Sequence, residues 1–483
     1  MIKRGQIWYN CRTNRSPFID RLMPDTISQF AAIVGKEYLL SDADNLDHYG
    51  QDWSRLYTPA PCFIVKPANT QQVAELVILA NKLKVEIVPS GGRTGLSGGA
   101  VAANGEMVLS LDRLNQIQDF NLIDQTVSCG AGVITQQLQS FAEQQNLYYP
   151  VDFASAGSSQ IGGNIATNAG GIKVLKYGLT RDWVAGITLV TPLGEILDLN
   201  NGLVKNATGY DLRHLVIGSE GTLGIVTQAT MKLTSPPQEP TVMLLALQDL
   251  ADISALLVHF QSTIDLLAFE FFSQQALEKV MQHRAMKAPF TTPSNYYVLI
   301  EFEVTNESAM EQALNAFEQA AENEWLVDGI ISQSQQQAKE LWQYREGISE
   351  SIAHYPPYKN DISVKPSLVG DFLNQVDEFV ANKYPDFENI WFGHIGDGNL
   401  HLNILKPASM SLKIFKHQCQ QANPSIFKIL ESFKGSISAE HGVGLVKKEY
   451  LSFTRSEEEI RLMRAIKAIF DPNNLLNPGK LFR

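Results

Sequence analysis

Apolar and polar positions along the chain follow two periods, and the changes between them mark where elements begin and end. Residues 70–83 put Val73, Leu76, Val77, Ala80 and Leu83 on one face of a 3.6-residue repeat, which predicts a helix. Short apolar runs at 62–65 and 85–88 flank it, the second stopping at Pro89, so the order is strand–helix–strand, an α/β unit. Residues 25–57 read as mixed and helical. Strands are predicted at 107–111, 126–129 and 225–233, a helix at 135–145, and a hairpin from 187–191 to 196–199. Pro236, Pro237 and Pro240 then cluster, which predicts a domain boundary.

Past that boundary, strands at 242–247, 266–272 and 296–304 alternate with helices at 253–260 and 307–322. A helix at 334–353, a strand at 361–365, a helix at 368–383, a strand–loop–strand at 389–405 and a long helical tail follow. This grammar predicts an antiparallel sheet with helices on one face. The expected fold class is α+β: two α/β subdomains, a cap with an antiparallel sheet, and a helical C-terminal region. The expected limits are a tail and helical segment at 1–54, one domain at 55–236, a cap at 237–435, and a segment at 436–483 returning to the first domain.

Apolar residues at 44% and charged residues at 19% fit a folded chain, and no apolar run approaches the roughly 18 residues of a membrane span. The net charge of −12 argues against a nucleic-acid partner, yet leaves room for a local basic pocket. Cys11, Cys62, Cys129 and Cys419 lack CxxC spacing and read as reduced thiols in a cytoplasmic protein. Residues 1–22 carry Lys3, Arg4, Arg12 and Arg15 without an apolar stretch. They are expected to be a tail, or to lie ahead of a true start at Met23, rather than a signal peptide.

Glycine concentrates in PSGGRTGLSGG (residues 89–99), in the stretch 156–171 ending IGGNIATNAGG, and in GSEGTLGIVT (residues 218–227). Glycines let backbone N–H groups face one concavity and let a phosphate approach closely. Tight turns would explain any one segment; three so near each other point to a dinucleotide cradle. Neither the Walker A pattern nor GxGxxG is present, which disfavours a nucleoside-triphosphate loop and a nicotinamide site.

Two of nine histidines fall in GHIGDGNLHLN (residues 393–403), and a third piece is SAEHGVG (residues 438–444). His401 and Asn403 are two apart on a predicted strand and share a face, and His394 can fold back across the Asp397–Gly398 turn to meet His401. Two imidazoles and a carboxylate leave coordination positions open, as a catalytic divalent metal needs; satisfied structural histidines are the alternative. Arg345 is either a surface partner of Glu346 or Glu350, or a fork for a carboxylate. Lys359 is either a solvated loop lysine or a second anion contact.

The glycine runs resemble the FAD-dependent D-2-hydroxyacid dehydrogenase branch of the vanillyl-alcohol-oxidase flavoproteins, over nearly all of residues 55–483. The resemblance implies non-covalent FAD, because the first loop has neither His nor Cys for attachment. It assigns Ser90, Gly91, Gly92, Arg93, Thr94, Gly95 and Leu96 to the FAD pyrophosphate. Gly157, Ser158, Gly162, Gly163, Asn164, Ala166 and Thr167 fall to the ring and ribityl, and Glu220, Ile225 and Asn477 complete the cofactor set. It assigns His394, His401 and Glu440 to a divalent metal, zinc or manganese, and His441 to the base. Arg345, Ser349, Lys359, Asn403 and His441 are assigned to substrate, with Ser349 where Thr is common. The implied substrate is a small D-2-hydroxy acid. Lys359 would suit a distal carboxylate and favours D-2-hydroxyglutarate over D-lactate or glycolate. The implied acceptor is a quinone, an electron-transfer flavoprotein or a cytochrome; a homodimer is compatible. A metal-dependent hydrolase would leave the glycines idle, and a non-catalytic flavin-binding module would leave the histidines idle.

Overall fold

The computed structural model describes residues 23–482; the tail at 1–22, with Cys11, lies outside the described residues. Three sheets organise the chain. In the first, Phe63–Val65, Met107–Ser110 and Ile87–Ser90 run parallel in that spatial order, with Leu39–Leu40 antiparallel at one edge. Parallel neighbours need a crossover, and the helix Thr70–Leu83 provides it. The Asn69 side chain caps that helix by accepting from Gln72 N at 2.9 Å, and Lys84 ends it in the left-handed region at φ 56°. Its buried Val73, Leu76, Val77 and Ala80 join one core with Met107 and Leu109 of the first sheet and Leu189 and Met231 of the second.

Pro89 sits inside the strand Ile87–Ser90 and does not end it. That strand is the last in its sheet, where a missing N–H breaks no ladder. The C-terminal segment covers the open edge: Ile87 N donates to Leu475 O and Asn477 N donates to Ile87 O, both at 2.7 Å. The second sheet is antiparallel, in the order Ile117–Asn121, Thr126–Gly130, Ile225–Lys232, Val184–Val190, Ile196–Leu199.

The chain enters the third sheet at Pro240. Seven antiparallel strands follow the spatial order Asp328–Ile331, Pro240–Leu247, Tyr296–Glu303, Leu266–Ser273, Glu388–His394, Asn399–Leu405, Tyr358–Ser363. Helices cover both faces, not one. Ile253–Thr263, Glu307–Glu322, Val369–Lys383 and Leu412–Ser432 bury one side, while Gln274–Arg284, Gln335–Glu346 and Ile348–Ile352 cover part of the other. The helix Gln274–Arg284 hides from pattern reading because its buried stripe is only Ala276, Leu277 and Val280.

Two further differences bear on function. The edge strand begins at Tyr358 and ends at Ser363, so Lys359 belongs to a strand and not to a loop. The predicted 334–353 helix breaks at Gly347, where a Cβ would stand 2.7 Å from Gln343 O and 3.0 Å from Arg284 Cζ. Cys129 and Cys419 are thiols pushed up to about 12 by burial, which makes them inert protonated core groups. Among the described residues, no helix is long and apolar enough to cross a membrane.

Candidate active site

Side chains on a strand alternate faces, so residues paired directly across antiparallel strands share one. The register pairs Asp361 with His401, Lys359 with Asn403, and Phe392 with His401. Glu270 continues the row, its Oε1 lying 2.7 Å from His394 Nδ1. One face of the third sheet is therefore apolar where helices cover it and polar toward the Tyr358–Ser363 edge. The strand Leu266–Ser273 is otherwise apolar up to its closing Ser273, so buried Glu270 at 1% exposure stands out.

The loop at 440–446 lies over this polar row and touches each glycine-rich segment. Leu445 N and Val446 N donate to Ser97 O at 2.9 and 3.0 Å. A Cβ on Gly170 would meet Glu440 Oε2 at 3.3 Å. The Glu220 carboxylate accepts from Val443 N at 2.7 Å and Gly444 N at 2.8 Å. Glu220 thus spends its side chain on the loop, although the residue still lines the cavity.

Histidine and carboxylate atoms converge beneath the loop. The Nε2 atoms of His394, His401 and His441 lie 4.0, 3.6 and 3.8 Å from one oxygen, Glu440 Oε1. The other ring edges face carboxylates: His394 Nδ1 faces Glu270, while His401 and His441 Nδ1 lie 3.7 and 3.6 Å from Asp361. Asp361 is itself fixed by Glu440 N, His441 N and Asn399 Nδ2 at 3.0, 2.9 and 2.9 Å. Imidazoles presenting one nitrogen to a common point and backed by carboxylates on the other match how proteins orient metal-binding histidines. Asp361, His401, Glu440 and His441 bring ligand atoms within 4.8 Å of one another, and such a set of nitrogens and carboxylates could hold a divalent metal.

Electrostatics sort these groups. Burial works against a charged His394, but the Glu270 charge and hydrogen bond override it and raise the pKa to about 9. Burial lowers His441 despite the opposing charge of Asp361, with Lys447 and Lys359 adding to the fall. Burial raises Glu440 to about 7, with His394 opposing. Asp361 stays well below the usual carboxylate range because His441, Lys447 and His401 outweigh its burial.

A single cavity of about 870 Å³ runs from the first glycine loop to this cluster. It lies at the upper end of the roughly 300–1,000 Å³ typical of ligand sites. It brings together Gly91–Leu96 of the first loop, Ser158, Gly162, Gly163, Asn164, Ala166 and Thr167 of the second, and Glu220, Ile225 and Asn477. Arg345, Ser349, Lys359, His394, His401, Asn403, Glu440 and His441 line the same space. Ser90 and Gly157 stand outside it: Ser90 is fully buried behind its loop, and Gly157 faces Gln136. Sequence reading missed Glu270, Asp361 and Arg284. A lone Glu in an apolar strand was the available signal for Glu270; Asp361 needed the cross-strand register.

The lining fits a large polar cofactor. Nothing lies within 4 Å of where a Cβ of Gly163 would stand, so the backbone there is open to the cavity. Gln160 Oε1, Ser219 Oγ, Arg345 Nε, Asn403 Oδ1 and Asn477 Oδ1 are buried atoms without a hydrogen-bond partner, all on lining residues. Orphaned polar atoms are rare in folded proteins, and five of them on the lining residues of one cavity fit a site that takes a polar ligand.

Comparison with known proteins agrees with this geometry. Residues 61–200 match the FAD binding domain, and residues 236–481 match FAD linked oxidases, C-terminal domain. The chain is 55% identical to a D-2-hydroxyglutarate dehydrogenase of Stutzerimonas stutzeri (strain A1501), over 95% of this chain and 99% of that one. It is 34% identical to a mitochondrial D-2-hydroxyglutarate dehydrogenase of Arabidopsis thaliana, over 97% and 83%. The fold matches p-cresol methylhydroxylase with a TM-score of 0.71 at 15% identity, over 95% of this chain and 96% of that one. With α+β architecture of vanillyl-alcohol-oxidase type and both domain matches in place, the chain belongs to the FAD-linked oxidase family.

Proposed function

We propose that this protein is an FAD- and divalent-metal-dependent dehydrogenase that oxidises D-2-hydroxyglutarate to 2-oxoglutarate. The observation that carries the reading is the shared cavity, which joins the glycine cradle to the histidine–carboxylate cluster. The names of the bacterial and plant relatives support the same substrate. The absence of His and Cys from the first loop supports non-covalent FAD.

Oxidation removes the hydroxyl proton and the C2 hydrogen with its electron pair, leaving a ketone. When bound, FAD supplies a two-electron acceptor and the cation supplies Lewis acidity. The chain's own residues do the rest. His394, His401 and Glu440 would hold the cation. His441, oriented by Asp361 behind its Nδ1, takes the hydroxyl proton at Nε2. Arg345 Nε and Asn403 Oδ1 are the free polar atoms beside the substrate, and Ser349 adds a hydroxyl.

Lys359 sets the preference for a dicarboxylate. The other cationic side chains of the cavity wall already face carboxylates: Arg93 is 3.8 Å from Asp112, Arg284 2.6 Å from Glu350, and Arg345 2.7 Å from Glu270. No carboxylate pairs with the Lys359 ammonium among the described residues, and the side chain is exposed where it lines the cavity. A cavity-lining ammonium without a counter-ion suits the distal carboxylate of hydroxyglutarate. Reoxidation falls to a separate electron carrier. The test is anaerobic mixing of the yellow, metal-loaded protein with D-2-hydroxyglutarate: bleaching of the flavin band is expected. A band unmoved by D-2-hydroxyglutarate but bleached by D-lactate would reassign the substrate, and a colourless protein would sink the reading.

A further inference from the structure

Glu270 sits in the sheet behind the reacting groups, and its two carboxylate oxygens serve partners with different jobs. Oε1 lies 2.7 Å from His394 Nδ1, and Oε2 lies 2.7 Å from Arg345 Nη2. We propose that Glu270 is a positioning residue that couples the metal ligand His394 to the substrate clamp Arg345. The inference rests on the metal and substrate roles given to those two residues above.

An ionised carboxylate only accepts hydrogen bonds. In the neutral ring, the form that can bind a cation, His394 therefore carries its proton on Nδ1 and has its Nε2 lone pair toward the point where His401, His441 and Glu440 converge. Arg345 is held on two sides, by Glu270 and by the Phe392 ring 4.9 Å from its guanidinium carbon. These two contacts hold the guanidinium in place, and Nε is buried without a hydrogen-bond partner. One buried ion thus aims a metal-facing lone pair and a carboxylate-facing donor together, so a loss at either end is felt at the other. Gln has a single accepting oxygen, and its amide N–H groups would confront a donor. Glu270→Gln can serve His394 or Arg345 but not both.

The experiment uses the flavin-loaded chain, stripped with a chelator and titrated with Zn²⁺ alone against a chromophoric competitor. KM and kcat for D-2-hydroxyglutarate are then measured at saturating Zn²⁺. Glu270→Gln should lose about 10- to 100-fold in Zn²⁺ affinity, the usual range for residues behind a metal ligand, and should also raise KM. Arg345→Met should raise KM, and adding Glu270→Gln to it should raise KM no further, because residues acting as a unit are non-additive. Unmoved Zn²⁺ affinity in Glu270→Gln, or additive KM changes in the double variant, overturns the proposal. Equal Zn²⁺ affinity in the wild type and His394→Ala overturns the metal-site reading itself, and the proposal with it. If Glu270→Gln loses its flavin, Glu270→Asp takes its place: one methylene shorter, it cannot span both partners. Unchanged Zn²⁺ affinity together with unchanged KM in Glu270→Asp overturns the proposal.

Discussion

In the glycine cradle the binding surface is mostly backbone. Where a side chain would begin, Gly92 has Ser158 O at 2.1 Å and Gly163 has open cavity. In the polar row of the third sheet nearly every functional atom is a side-chain tip, aimed by a neighbour on the next strand, as Asp361 aims His401. A backbone surface is specified by runs of consecutive residues, and a row of tips by register. The two should therefore fail differently: cradle variants by losing cofactor, row variants by losing turnover with the cofactor in place.

The largest expected effect lies in the row. His441→Ala should cut kcat by about 10²- to 10⁴-fold, the span for a general base, while the flavin absorbance of the purified protein stays. Near-wild-type turnover would remove His441 from its role. Next is the cradle. A Cβ on Gly92 would overlap Ser158 O and crowd Ser159 Cα at 2.9 Å, an overpacking worth about 1–3 kcal/mol. Gly92→Ala should weaken FAD retention by about 5- to 150-fold, measured as free flavin after gel filtration. If it instead keeps its FAD and loses kcat, the division between the regions is wrong. Lys359→Ala comes third. It should raise KM for D-2-hydroxyglutarate by about 10- to 100-fold, the worth of a hydrogen bond to a charged group, and barely move D-lactate. Equal losses on both substrates would mean that Lys359 does not read the distal carboxylate.

The smallest effect concerns the segment closing the cradle. Burial lowers Lys480 to about 8 despite Glu106 nearby. A lysine whose folded pKa lies below its unfolded value opposes folding while protonated. This penalty is full below about pH 8 and fades as pH rises toward 10.5. Urea midpoints should therefore show a Lys480 contribution that grows more favourable from pH 8 to 10 and disappears in Lys480→Met. An identical pH profile in that variant would remove Lys480 as its source.

The same contrast explains what the sequence made legible. The three glycine runs are contiguous, so most of their residues reach one cavity; Ser90 and Gly157 miss it because a turn also needs residues that face away. His394, His401 and Asn403 were readable from a short strand–turn–strand, and Glu440 and His441 from their glycine flanks. Glu270 and Asp361 lie 124 and 40 residues before the histidines they back, His394 and His401; Glu270 shows only as a lone carboxylate in an apolar strand, and Asp361 only through strand pairing. The α+β class was legible from the change of period. Helices on both faces of the third sheet were not, because the narrow stripe of Gln274–Arg284 gives little periodic signal. The edge strand begins three residues and ends two residues before the predicted 361–365 for a related reason: Tyr358–Ser363 mixes polar site residues into a strand with one face on the cavity.

The loop at 440–446 gives this arrangement a mechanical side. Glu440 and His441 donate their backbone N–H groups to Asp361 of the third sheet, while residues 443–446 just after them bond to Ser97 and Glu220 of the cradle; His394 and His401 are built into the third sheet. The loop is therefore a strap, bonded at one end to the sheet that carries the histidines and at the other to the cradle. A displacement of the third sheet against the cradle would therefore pull on the backbone of Glu440 and His441 from both ends.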